Sequence, residues 1–88
     1  MTYIVVAQED EYYSSCVLVG VWSTLKEAQD NVDFCFEAEQ KENNRSFWHQ
    51  NDLSNESTSM HSFFTGKRKR DNSLWDNDWN IAILEKVC

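Results

Sequence analysis

Tyr3-Ile4-Val5-Val6-Ala7 and Cys16-Val17-Leu18-Val19-Gly20-Val21-Trp22 are the two stretches that decide the fold. Neither alternates apolar with polar. A strand with one wet face does alternate, whereas a strand covered on both faces runs almost continuously apolar. The acidic, polar run Glu9-Asp10-Glu11-Tyr12-Tyr13-Ser14-Ser15 lies between them and suits a hairpin loop longer than two residues. Sequential strands joined by a short loop usually pair, so an antiparallel hairpin is expected.

Strict alternation puts Tyr3, Val5, Ala7, Cys16, Leu18 and Trp22 on one face and Ile4, Val6, Val17, Val19 and Val21 on the other. Each of the five aliphatic side chains in the second set is worth about 1.5–3 kcal/mol when fully buried. A small domain has only about 5–15 kcal/mol of net stability. Both faces therefore need cover, and a patch left open would mark an interaction site.

Working outward, Thr24-Leu25-Lys26-Glu27 has the form of a capping box, in which the Thr24 hydroxyl accepts from the Glu27 amide and the Glu27 carboxylate reaches back. Leu25, Ala28, Val32, Cys35 and Phe36 then recur at helical spacing. The spacing predicts a helix over about residues 25–41, roughly 25 Å long, enough to lie along a seven-residue strand of about 23 Å. Phe34 falls on its polar side, as a lone exposed aromatic or a docking residue.

Residues 43–78 lose aliphatics and hold no period, yet they carry Phe47, Trp48, Phe63, Phe64 and Trp75. Short strands near 46–50 and 60–65 are expected, with residues 50–59 as the loop between them. The remainder reads as a polar insert whose aromatics either lid the second sheet face or fold onto a partner. Trp79-Asn80-Ile81-Ala82-Ile83-Leu84-Glu85-Lys86-Val87 reads as a closing strand, with Trp79, Ile81, Ile83 and Val87 on one face. The expected architecture is a single α+β domain over residues 1–88, β-β-α-insert-β, with a three- to five-stranded antiparallel sheet and one helix packed on one face.

The 88 residues suffice for one modest core, and 41% hydrophobic with 14% aromatic content argues against wholesale disorder. No run approaches the ~18 apolar residues of a membrane span. The opening MTYIVV shows no basic n-region or cleavage site, and three cysteines (Cys16, Cys35, Cys88) lack a disulfide framework. The expectation is an intracellular, cytoplasmic chain, with a nuclear location as the variant.

The formal charge is -7, and four of the eight basic residues form one run, Lys67-Arg68-Lys69-Arg70. That run reads either as a localisation or nucleic-acid contact or as a solvated turn that offsets an acidic body. The acidic remainder disfavours nucleic acid over most of the surface. Asp76-Asn77-Asp78-Trp79-Asn80 begins like a calcium loop, but Ile81 stands at the glycine position and Val87 at the bidentate glutamate position, so the site does not close. The cysteines with His49 and His61 offer no paired ligand spacing for zinc. The two histidines lie in the least ordered stretch, a poor setting for preorganised catalysis. No cofactor, metal or catalytic residue is expected.

The run Tyr3-Ile4-Val5-Val6, the stretch Leu18-Val19-Gly20-Val21-Trp22-Ser23-Thr24-Leu25-Lys26-Glu27-Ala28-Gln29 and the closing apolar strand resemble a group of small ββαβ domains of unknown function found in bacterial and viral proteins. The resemblance covers residues 3–40 and 79–87. It implies a helix on one face of an antiparallel sheet and carries no activity or site residues. The chain departs from it in the 43–78 insert.

The functional expectation is a small acidic, non-enzymatic interaction protein of accessory, viral-like character. It would act through its sheet surface and through Phe34, Trp48, Phe63, Phe64 and Trp75 on another protein or on a second copy of itself in a dimer. The alternative is a nuclear or nucleic-acid-associated factor using Lys67, Arg68, Lys69 and Arg70.

Overall fold

The computed structural model describes residues 1–9, 17–43, 58–69 and 78–87. The elements are β1 (Thr2–Glu9), β2 (Val17–Trp22), α1 (Leu25–Cys35), β3 (Phe36–Lys41), β4 (Thr58–Arg68) and β5 (Trp79–Lys86). They form one five-stranded sheet in the order β2-β1-β5-β4-β3, and each pairing is antiparallel. The expected α+β class, with one helix against an antiparallel sheet, is what the structure shows.

The helix starts where the cap predicts. Thr24 is extended, its hydroxyl accepts from the Glu27 amide at 3.2 Å, and the Ala28 amide reaches the Thr24 carbonyl. The returning Glu27 carboxylate accepts from the hydroxyls of Thr24 and Ser23.

The helix ends six residues earlier than its pattern suggests. It stops at Cys35, and β3 follows with no intervening residue. The last carbonyls are satisfied from elsewhere in the fold: Val32 by the Phe36 amide, Cys35 by the Lys69 amide, and Asp33 by the Lys69 ammonium. Glu37-Ala38-Glu39-Gln40-Lys41 has good helical propensity, but here pairing with β4 overrides it.

The expected 60–65 strand is longer, spanning Thr58–Arg68 between β5 and β3. Part of the 43–78 insert is thus a structural strand of the sheet rather than an appendage. The 46–50 strand lies outside the described residues.

α1 packs Ala28 and Val32 over one face of the sheet, against Val5, Ala7, Phe36, Trp79, Ile81 and Ile83. Trp79, Ile81 and Ile83 share that face as expected, while Val87 lies beyond β5 and is exposed. The other face carries a second buried cluster of Ile4, Val6, Phe63, Ala82 and Leu84, with Met60 against it. Both faces of β1 and β5 are therefore buried, as the continuous apolar run of β1 required; the same expectation fails for β2, whose Val17, Leu18 and Val21 are exposed.

The strict alternation expected of β2 fails. The β1–β2 register pairs Val5 with Gly20 but Val6 with Leu18, leaving Val19 as an extra residue. This bulge puts Val19 with Trp22 on the helix side. Leu18 and Val21 sit opposite Val6 and Ile4, on the other face, and Val17 sits opposite Ala7, so the expected placements of Val17, Leu18 and Val19 are all reversed.

Candidate functional site

The two outer strands of the sheet are β2 and β3, and they end it very differently. β3 carries Glu37, Glu39 and Lys41, the kind of charged edge that discourages pairing with another chain. β2 reads Val-Leu-Val-Gly-Val-Trp, with no charge and no proline. Its Val17, Leu18 and Val21 are 47%, 58% and 54% exposed. Among the described residues only β1 pairs with it. The Trp22 ring lies over Gly20, in the space a side chain there would take, so the strand stays smooth at its centre.

The aromatic candidates do not form one surface. Phe63 is buried in the second cluster, whereas Phe64 packs toward the helix side with the first. Phe34 is 63% exposed on α1. Trp48 and Trp75 lie outside the described residues.

The basic run is engaged within the fold. The Lys67 ammonium meets the Asp78 carboxylate at 2.8 Å. The Arg68 guanidinium sits 5.6 Å from the centre of the Trp79 ring, within cation–π range. Lys69 holds the end of α1 through two carbonyls. Arg70 lies outside the described residues.

The pairing of Lys67 with Asp78 also occupies a carboxylate of the calcium-like stretch, whose Asp76 and Asn77 are outside the described residues. Beside it, a groove lined by Glu37, Glu39, Lys41, Thr65 and Lys67 is crossed by a Lys41–Glu39 pair at 3.3 Å. Such exposed pairs contribute about 0–1 kcal/mol each.

His61 occupies the bulge between Met60 and Ser62 in β4. Its Nδ1 contacts the Ser62 hydroxyl, its Nε2 lies 3.8 Å from Glu85, and Tyr3 meets it edge-on. The sequence serine, histidine, carboxylate invites a catalytic reading, but Ser62 is 2% exposed. A sealed hydroxyl has no access to a substrate, so the contacts anchor the β4 bulge. Among the described residues no group of three His, Cys, Asp or Glu side chains could hold a metal. Of the cysteines, Cys35 is described as a thiol; Cys16, Cys88 and His49 lie outside the described residues. No described helix is long and apolar enough to cross a membrane.

Sequence reasoning missed Leu18 and Val21 as the exposed pair. The available signal was Gly20, since a glycine inside a strand pattern marks a bulge. No family model, curated protein or solved structure matches this chain.

Proposed function

We propose that this chain is a small acidic, non-enzymatic protein-interaction module that takes an extended segment of another protein along β2. The observation that carries this reading is the contrast between the two outer strands: β3 is charged, and β2 is uncharged with three exposed aliphatics. An added strand would gain main-chain hydrogen bonds from β2 and apolar contact with Leu18 and Val21. The charge of -7 opposes close approach of a second copy and favours a partner with basic residues flanking its apolar ones. The engagement of Lys67, Arg68 and Lys69 inside the fold supports this over the nucleic-acid reading.

The test uses an alternating lysine–valine octapeptide as probe, with amide hydrogen exchange as readout. Protection is expected at residues 17–22 and not at 36–41, and Val21→Lys should weaken binding at least about tenfold through lost apolar contact and charge repulsion. Protection at 36–41 instead, or none at any peptide concentration, overturns the proposal. So does a dimer by light scattering whose 17–22 amides are already protected without peptide. Duplex DNA binding that falls steeply with salt and disappears when Lys67, Arg68, Lys69 and Arg70 become alanine would establish the alternative.

A further inference from the structure

An added strand makes the same main-chain hydrogen bonds whatever its sequence, and pockets for its alternate side chains are what make it specific. One such pocket adjoins β2. A cavity of about 240 Å³ lies beside the C-terminal end of α1, and the first residues of β2, Val17 and Leu18, form part of its wall together with Ala7, Phe36 and Trp79. Val17 and Leu18 are 47% and 58% exposed, whereas Ala7, Phe36 and Trp79 are buried members of the helix-side core. The cavity therefore has its rim on the outer strand and its floor in that core.

The register of β2 decides which partner side chains come near it. Leu18 and Val21 lie opposite Val6 and Ile4, on the face away from α1, whereas Val17 lies opposite Ala7, on the helix side. Successive residues of an added strand point to opposite faces. One set of its side chains meets Leu18 and Val21, and the other projects on the helix side, beside Val17. Directly opposite neighbours on adjacent strands are about 4.5–5.5 Å apart and diagonal ones about 7–8 Å, within reach of long and aromatic side chains.

A strictly alternating partner would present its polar set to the helix side. The lining found there is unsuited to it. Arg68 is its one charged member among the described residues, and the Arg68 guanidinium lies over the Trp79 ring. A polar side chain in such a place gives up water without a partner, and a lysine would also meet the charge of Arg68. The volume equals about eight waters at ~30 Å³ each, room for one ring or one branched chain.

We infer that this cavity takes a single large apolar side chain from the helix-side set of the strand that adds to β2. The preferred partner is then a segment that is apolar toward Leu18 and Val21, polar on its other set, and broken in that second set by one apolar anchor beside Val17. A buried anchor of this kind is where binding energy concentrates in an interface. The inference rests on the strand-addition reading.

The test replaces the lysines of the alternating lysine–valine octapeptide by phenylalanine, one in each peptide. Affinity is measured for the series, and the Cys35 and Phe36 amides of ¹⁵N-labelled protein are followed. One of the phenylalanine peptides is expected to bind at least about tenfold more tightly than the parent and to shift both amides, which the parent leaves in place. Glutamine at the same position removes the charge alone and should bring little of that gain. Cys35→Phe, which adds a ring to the wall, should abolish the preference for that peptide over the parent. Should this variant fail to fold, the peptide series and the two amide shifts decide on their own. A parent peptide that leaves residues 17–22 unprotected removes the strand-addition reading and this inference with it. Protection of 17–22 together with equal affinity across the phenylalanine series overturns this inference alone. So does a gain that glutamine reproduces, or a preference that survives in the folded Cys35→Phe variant.

Discussion

A Cβ built on Gly66 would strike the Glu37 carbonyl oxygen and the Ala38 Cα, both backbone of the paired strand β3. Backbone in a sheet cannot swing aside, so Gly66→Ala has to push β3 away from β4. Overpacking of this kind costs about 1–3 kcal/mol, and a lowered urea midpoint at unchanged slope is the expected result. Gly20 is the milder case, because the atoms nearest its added Cβ all belong to the Trp22 indole, a side chain that can rotate away. Neither effect is conformational, since no described glycine has positive φ. In sequence Gly66 reads as a loop mark before the basic run; only the β3–β4 register shows that it permits close strand approach. Thr24 is the opposite instance, a residue whose role is legible without coordinates. Thr24→Ala should cost about 1 kcal/mol, read by the same denaturation, because the Glu27 amide loses its acceptor.

Elements were legible where local and global preferences agree. The β1 and β2 strands, the start of α1 and the β5 strand follow from pattern and capping alone. The end of α1 does not, because residues 37–41 favour helix locally and are held as a strand by β4, whose partners lie 22 to 30 residues further on. β4 itself was legible only over residues 60–65: Ser59, Gly66, Lys67 and Arg68 lack strand character in isolation, and their place in the sheet comes from the strands they pair with, β5 for Ser59, both β3 and β5 for Gly66, and β3 for Lys67 and Arg68. The faces of β2 were misassigned for one reason, the bulge at Val19, which reverses Val17, Leu18 and Val19 relative to strict alternation. That reversal is measurable. Leu18→Ser, at a 58% exposed position, should leave stability within about 0.5 kcal/mol. Val19→Ala, on the helix-side core, should cost about 1 kcal/mol or more. The opposite ranking would restore the unbulged register.

At the scale of the whole molecule, the first and last strands of the chain lie side by side, from Thr2 opposite Lys86 to Glu9 opposite Trp79, with β5 at the centre of the sheet. The sheet closes only when β5 inserts between β1 and β4, so the core forms as a unit. Its two faces are both buried there: Ile83 toward α1 and Leu84 away from it are each 0% exposed. This equality gives the sharpest test of the two-sided reading of the sequence. Truncating a buried aliphatic to alanine costs about 2–5 kcal/mol, while the same change on a wet face costs only a few tenths. Ile83→Ala and Leu84→Ala are therefore expected to lower the free energy of unfolding by similar amounts. Because a domain of this kind holds about 5–15 kcal/mol in all, the double variant should be largely unfolded without denaturant at the lower end of that range. Urea titrations of the two single variants decide the matter. A Leu84→Ala loss well below 1 kcal/mol beside a full loss for Ile83→Ala would mean that the face opposite α1 is open to water, and the requirement for cover on both sides would fall with it.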